Sequence, residues 1–196
     1  MDEGYIKFKC RWLQAPPLSQ KRIAAINAWR DKLFSRGLIG VYPDGVGYGN
    51  ISMRFRGNTF IISGSATGAF RKLDDRHYVV VNDYNLAQNL LVCTGPIMAS
   101  SESLSHAAVY ESLPQIQAVI HVHCLTLWEK LLNMVPTTNS QAAFGTPEMA
   151  FEIKRLFRET TVEQEKILVM GGHREGIICF GDTLEEAGRV LLKYLE

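Results

Sequence analysis

Six residues, Ala118-Val119-Ile120-His121-Val122-His123, constrain this chain more than any other stretch. Val and Ile dominate them, so the local structure they favour is a buried β-strand. Side chains alternate across a strand, which puts Val119, His121 and His123 on one face and leaves Ile120 and Val122 to pack on the other. At a rise of ~3.3 Å per residue the two histidine Cα atoms stand roughly 6–7 Å apart. Imidazoles so placed can converge on one ion at Zn–N distances of ~2.0–2.1 Å. The bare spacing equally describes two ordinary histidines at a strand end. Cys124 comes next and points to the opposite face, so it is set aside as a ligand.

A catalytic zinc site needs three protein ligands and one open position. Among the five histidines, His77 lies in the polar run Asp74-Asp75-Arg76-His77 and reads as exposed. His106 follows Glu102 by four residues, shares its helix face, and reads as a structural neighbour. His173 lies in the turn Gly171-Gly172-His173-Arg174-Glu175, and turns of this kind carry functional groups. His121, His123 and His173 can therefore supply three ligands, with Glu102 as a fourth ligand or a general base.

The rest of the chain sets the frame. Ser19 begins a helix over about 20–35, in which Ile23, Ile26, Trp29, Leu33 and Phe34 form one stripe and Gly37 caps the end. Residues 1–18 read as irregular. Five glycines and Pro43 between Gly37 and Gly49 read as a loop whose last part can approach an anion. Gly57-Asn58 splits a hairpin, and Ser63 to Gly68 is small and hydroxyl-rich. Tyr78–Val81 and Leu86–Val92 read as strands around a turn at Asn82-Asp83. Ser100 and Ser101 lead into a helix ending near Pro114, a place where hydroxyls and unpaired N–H groups either bind an anion or merely cap the helix. Further helices are expected over 125–132, from Thr146-Pro147 to about Arg158, and from Thr183 to Leu195. Short strands are expected over 166–170 and 176–180. Without repeats or linkers, one domain over 1–196 is expected, a mixed and mostly antiparallel sheet covered by helices.

Composition removes several classes. A net charge of +1 implies no nucleic acid or anionic membrane as partner. No 18-residue apolar run suits a transmembrane helix, and Met1-Asp2-Glu3-Gly4-Tyr5 is no secretory signal. Scattered Cys10, Cys93, Cys124 and Cys179 form no CxxC and read as reduced thiols of a cytoplasmic protein.

Five segments in order carry a resemblance. They are Gly49-Asn50-Ile51-Ser52-Met53-Arg54; Ser63 to Gly68; Ser100-Ser101-Glu102 with His106 and Tyr110; the histidine strand; and His173 to Ala187 with Gly181-Asp182-Thr183-Leu184-Glu185-Glu186. From about Ala24 to Leu195 the chain resembles the class II aldolase/adducin family. The resemblance implies a three-layer α/β/α sandwich with a mostly antiparallel sheet. It implies a divalent metal, usually zinc, on His121, His123 and His173, with Glu102 as catalytic acid/base. It implies a substrate phosphate held by Asn50, Thr67, Gly68, Ser100 and Ser101, and a homotetramer with active sites at subunit interfaces. The implied activity is an aldolase-type lyase on a small phosphorylated sugar, whose retro-aldol cleavage leaves an enediolate that a chelated metal stabilises. Epimerase or dehydratase chemistry, or an adducin-like assembly module without catalysis, are the alternatives. Glu after the paired serines matches aldolase-like members, where the epimerase group carries Asp. Three features depart from the family: a short stretch from Pro136 to Phe144 lacking the proton-donating tyrosine, no longer C-terminal tail, and Arg174-Glu175 inserted after His173.

Overall fold

The computed structural model describes residues 5–195, so the expectation for Met1 to Gly4 lies outside the described residues. Strand β1 (Lys9–Gln14) precedes helix α1 (Gln20–Phe34) and a small ribbon of β2 (Gly40–Val41) and β3 (Gly47–Tyr48). The hairpin β4 (Asn50–Arg56) and β5 (Thr59–Ser63) leads to β6 (Tyr78–Asn85), β7 (Leu90–Gly95) and helix α2 (Ser103–Ser112). After β8 (Ala118–His123) come α3 (Leu125–Leu131), α4 (Pro147–Glu159) and α5 (Val162–Glu165). The chain closes on β9 (Ile167–Val169), β10 (Gly176–Gly181) and α6 (Leu184–Leu195).

Eight strands form one sheet in the order β1-β7-β6-β5-β4-β8-β10-β9, antiparallel except for β1 beside β7. Period-two alternation along each strand builds a core on either face. One core joins Val119, Phe60 and Ile178 to α2 and α4 through Leu104, Ala108, Met149 and Ile153. The other joins Ile120, Val122 and Ile61 to α1, α3 and α6 through Ile26, Leu33, Leu131 and Leu191. The expected three-layer α/β/α arrangement with a mostly antiparallel sheet is therefore what the chain adopts. No helix among the described residues is long and apolar enough to cross a membrane.

The local signals act as their chemistry requires. Gly37 takes φ 68°, and Leu38 N–H reaches Leu33 O at 3.1 Å, closing α1 with a Schellman motif. The Ser19 hydroxyl makes no cap bond. Thr146 does cap α4, accepting from Met149 N–H. Thr183 Oγ1 accepts from Glu186 N–H, while the Glu186 carboxylate reaches past Thr183 to Asp182 N–H.

Three expectations are corrected. Residues 1–18 are not irregular throughout, because Lys9–Gln14 is a strand. Its alternation turns Cys10 and Trp12 inward, and Trp12 Nε1–H donates to Gly95 O at 2.9 Å. Asn82-Asp83 is not the turn before β7. Strand β6 runs through it with a register shift, and the chain reverses at Leu86 to Asn89, where Asn89 takes φ 49° and donates its N–H to Leu86 O. His77 is half-buried rather than exposed: its Nδ1 accepts from Asp74 N–H in a reciprocal cap, and its ring lies on Phe70. All four cysteines are free, with Cys10 and Cys124 only partly buried.

Candidate active site

Strand β8 lies inside the sheet, paired with β4 on one edge and β10 on the other, and all six of its residues are buried. His121 and His123 therefore project from fixed backbone. The turn between β9 and β10 is pinned by His173 N–H to Met170 O and Gly176 N–H to His173 O, and it brings His173 onto the same face. The three ring centroids lie 4.8 to 5.2 Å apart. One ligand nitrogen from each ring lies within 4.8 Å of the others. His121, His123 and His173 are 1%, 4% and 3% exposed. Gly176 leaves the room: a Cβ there would stand 3.3 Å from His121 Nε2.

Burial, with the neighbouring imidazoles adding to it, holds His121 and His123 well below the usual histidine range, so both rings are neutral at pH 7. Neutral imidazoles are the form that ligates metals. Nε2 of His121 is buried with no hydrogen-bond partner among the described residues, a costly arrangement that a bound cation would relieve. On these grounds the three rings fit a divalent metal.

Glu102 sits at the cap position ahead of α2 and is 2% exposed. Its Oε2 accepts from Ser105 Oγ–H at 2.7 Å, and Oε1 is 3.8 Å from His173 Nδ1. His106 stays apart from the cluster, with Nδ1 2.6 Å from Ser52 Oγ.

A pocket of about 180 Å³ opens beside the rings. Asn50, Thr67, Gly68, Ser100, Ser101, Glu102, His121 and His123 all line it; His173 is not among the lining residues. Asn50 Nδ2–H donates to Ser100 Oγ at 3.0 Å and lies 3.4 Å from His121 Nδ1, while its Oδ1 is buried without a partner. A metal on Nε2 needs the proton on Nδ1, and turning the Asn50 amide by half a turn offers Oδ1 to that proton. Thr67 spends its hydroxyl proton on Gly64 O, leaving its oxygen as an acceptor, whereas Ser65 faces the pocket and Ser63 accepts from Ile51 N–H. The paired serines precede α2 by a turn, in which Ser103 N–H and Oγ–H both donate to Ser100 O.

The segment from Gly45 to Asn50, expected as a loop able to approach an anion, does line the pocket, but partly as paired strand, and other residues of the site carried no such expectation. The ribbon β2–β3 walls the pocket with Val46, Gly47 and Tyr48, and Tyr48 lies 5.4 Å from the His123 ring. From outside the pocket Tyr42 reaches His123, and Glu175 in turn accepts from the Tyr42 hydroxyl. Among the described residues no Lys or Arg lines the pocket, yet Arg30 is 1% exposed and donates to the carbonyls of Thr67, Gly68 and Arg71. A basic residue inside an apolar stripe was the available signal for that last one.

Residues 43–194 match the family described as Class II Aldolase and Adducin N-terminal domain. The 5-methylthioribulose-1-phosphate/5-deoxyribulose-1-phosphate aldolase of Escherichia coli O45:K1 (strain S88 / ExPEC) is 28% identical, over 70% of this chain and 65% of that protein. The chain thus spans about 65% of the length of the curated relative it matches. Among solved structures, L-fuculose-1-phosphate aldolase from Thermus thermophilus is 23% identical with a TM-score of 0.58, covering 87% of this chain and 84% of that one. A sugar-phosphate aldolase from Thermotoga maritima is 16% identical with a TM-score of 0.64, covering 89% and 91%. These two share the fold.

Proposed function

Because this chain belongs to the class II aldolase and adducin N-terminal domain family, we propose that it is a metal-dependent aldolase-type lyase cleaving a small phosphorylated sugar. The observation that carries this reading is the convergence of three buried imidazoles with one buried carboxylate at the mouth of a donor-lined pocket. The curated relative's name, an aldolase of ribulose 1-phosphates, supports the substrate class.

In this reading His121, His123 and His173 hold the metal, most simply zinc given three nitrogen ligands. Bound there, it supplies Lewis-acid polarisation of the substrate's carbonyl oxygen. Glu102 moves the proton at the reacting carbon, and Ser105 keeps its carboxylate turned toward the cluster. Asn50, Thr67, Gly68, Ser100 and Ser101 hold the phosphate through hydroxyl, amide and backbone N–H donors. The pocket volume suits a compact sugar phosphate rather than a nucleotide. A cytoplasmic homotetramer completes the reading, with the four free thiols in support of the compartment.

The test is elemental analysis of purified protein together with a panel of ketose 1-phosphates monitored for aldehyde release. One divalent ion per chain, lost in His121→Ala, and aldehyde from at least one ketose phosphate are the expected results. A protein that takes up no divalent ion overturns the metal centre. Metal binding with isomerised or dehydrated products replaces the lyase by the epimerase or dehydratase alternative.

A further inference from the structure

Glu175, the residue before β10, takes φ 73°, the left-handed region, although it carries a Cβ. Such a conformation is strained for a residue with a Cβ and persists only where the surroundings impose it. Two contacts impose it here. Glu175 O accepts from Cys124 N–H at 3.1 Å, and Glu175 Oε2 accepts from the Tyr42 O–H at 2.7 Å. The same phenol oxygen lies 2.9 Å from Nδ1 of His123. Tyr42 is itself built into the β2–β3 ribbon, with its N–H on Val46 O and its carbonyl on Gly45 N–H. Its ring packs on Tyr48, 4.5 Å between centroids.

Proton counting settles the direction of these bonds. A phenol has one proton, and a carboxylate can only accept. Tyr42 gives that proton to Glu175, so toward His123 its oxygen accepts and the imidazole Nδ1 must carry hydrogen. A neutral imidazole has one N–H, which leaves Nε2 with the lone pair. A ligating histidine needs this arrangement, with its outer nitrogen donating to a fixed acceptor.

We propose that Tyr42 and Glu175 are a positioning pair that holds His123 in the Nδ1–H tautomer and thereby sets the affinity of the three-histidine site for a divalent metal. Neither residue is among those lining the pocket or in the three-histidine cluster, and both act through His123. The strained backbone of Glu175 is what aims its carboxylate at Tyr42. The pair also ties the ribbon that walls the pocket to a ligand on β8, so that wall and ligand are set together. This inference rests on the metal-dependent reading above.

The test has two arms on the full chain. Long-range 1H–15N spectra of histidine-labelled protein, stripped of metal by a chelator, report the tautomer of each ring. Wild type should show His123 protonated on Nδ1, and Tyr42→Phe should populate both tautomers. Zinc competition against a chromophoric chelator should then show Tyr42→Phe and Glu175→Ala weakened by roughly 10–100-fold. Glu175→Gln keeps an acceptor oxygen and should stay within about threefold of wild type. An Nε2–H tautomer in wild type, or unchanged zinc affinity in both weakened variants, overturns the proposal. Tyr42→Phe removes one atom from a half-buried ring, so its fold serves as the control for Glu175→Ala. If wild type binds no zinc, the metal reading falls, while the tautomer spectrum still upholds or overturns the pair.

Discussion

His106 is wholly enclosed, with Nδ1 on Ser52 Oγ and Ser52 Oγ in turn 2.8 Å from the Tyr110 hydroxyl. Burial lowers its pKa to about 3. A folded-state value below the unfolded one of ~6.5 means that below pH 6.5 the unfolded chain binds a proton the native one refuses. Stability is full above pH 6.5 and is lost as pH falls toward 3. Between pH 7 and 5 this residue alone should remove about 2 kcal/mol. Urea unfolding of wild type and His106→Asn at both pH values checks it, and the variant should lose less on acidification. Glu102, four positions earlier, makes the opposite kind of prediction. Glu102→Gln should lower turnover about 10²–10⁴-fold while leaving the metal content unchanged, read by kinetics beside elemental analysis. These two residues also show the limit of the sequence. Their spacing on one helix face was visible, and Glu102 could be named as a partner of the histidine set, but the 3.8 Å between Glu102 and His173 comes from a turn some seventy residues away that no local signal fixes.

At the scale of elements, α1 and α6 meet where Gly188 lies against the Trp29 indole, leaving no room for a methyl group. Gly188→Ala should cost about 1–3 kcal/mol from overpacking, offset by up to ~1 kcal/mol of helix propensity, so urea midpoints should fall modestly. Gly68 is as confined, because a Cβ would run into Gly40 O on the ribbon behind it. Helices with an apolar stripe, the 57–58 hairpin and the histidine strand were readable because their signals are local. Arg30 was not: its partners are carbonyls about forty residues on, and a charge in a helix is normally assigned to water. The ribbon at 40–48 was hidden for a related reason. Glycines signal freedom, and only contacts with Gly68 and Tyr48 convert that freedom into paired strands. The turn after β6 misled because Asn82-Asp83 and Asn85-Asn89 carry similar residues, and only register with β7 decides between them.

For the whole molecule, the proposed metal site has two of its three ligands on an interior strand and the third in a pinned turn, so metal uptake should reorganise little and binding energy should appear almost entirely as added stability. At a free zinc concentration 100 times the Kd the gain is about 2.7 kcal/mol. For a chain of this length that corresponds to a rise in Tm of about 5–10 °C, measurable by calorimetry with and without zinc. The sheet's parallel edge carries a different consequence, one of time. Lys9 pairs with Leu90, 81 positions later in the chain. At a synthesis rate of ~5–20 residues per second, β1 waits roughly 4–16 s before its partner exists. During that interval Cys10 and Trp12 have nothing to cover them, and the exposed Lys9 and Arg11 are the charges that keep the waiting segment from its counterpart on a neighbouring nascent chain. Neutralising those two positions would leave the finished protein nearly as stable and lower the yield of molecules that reach it.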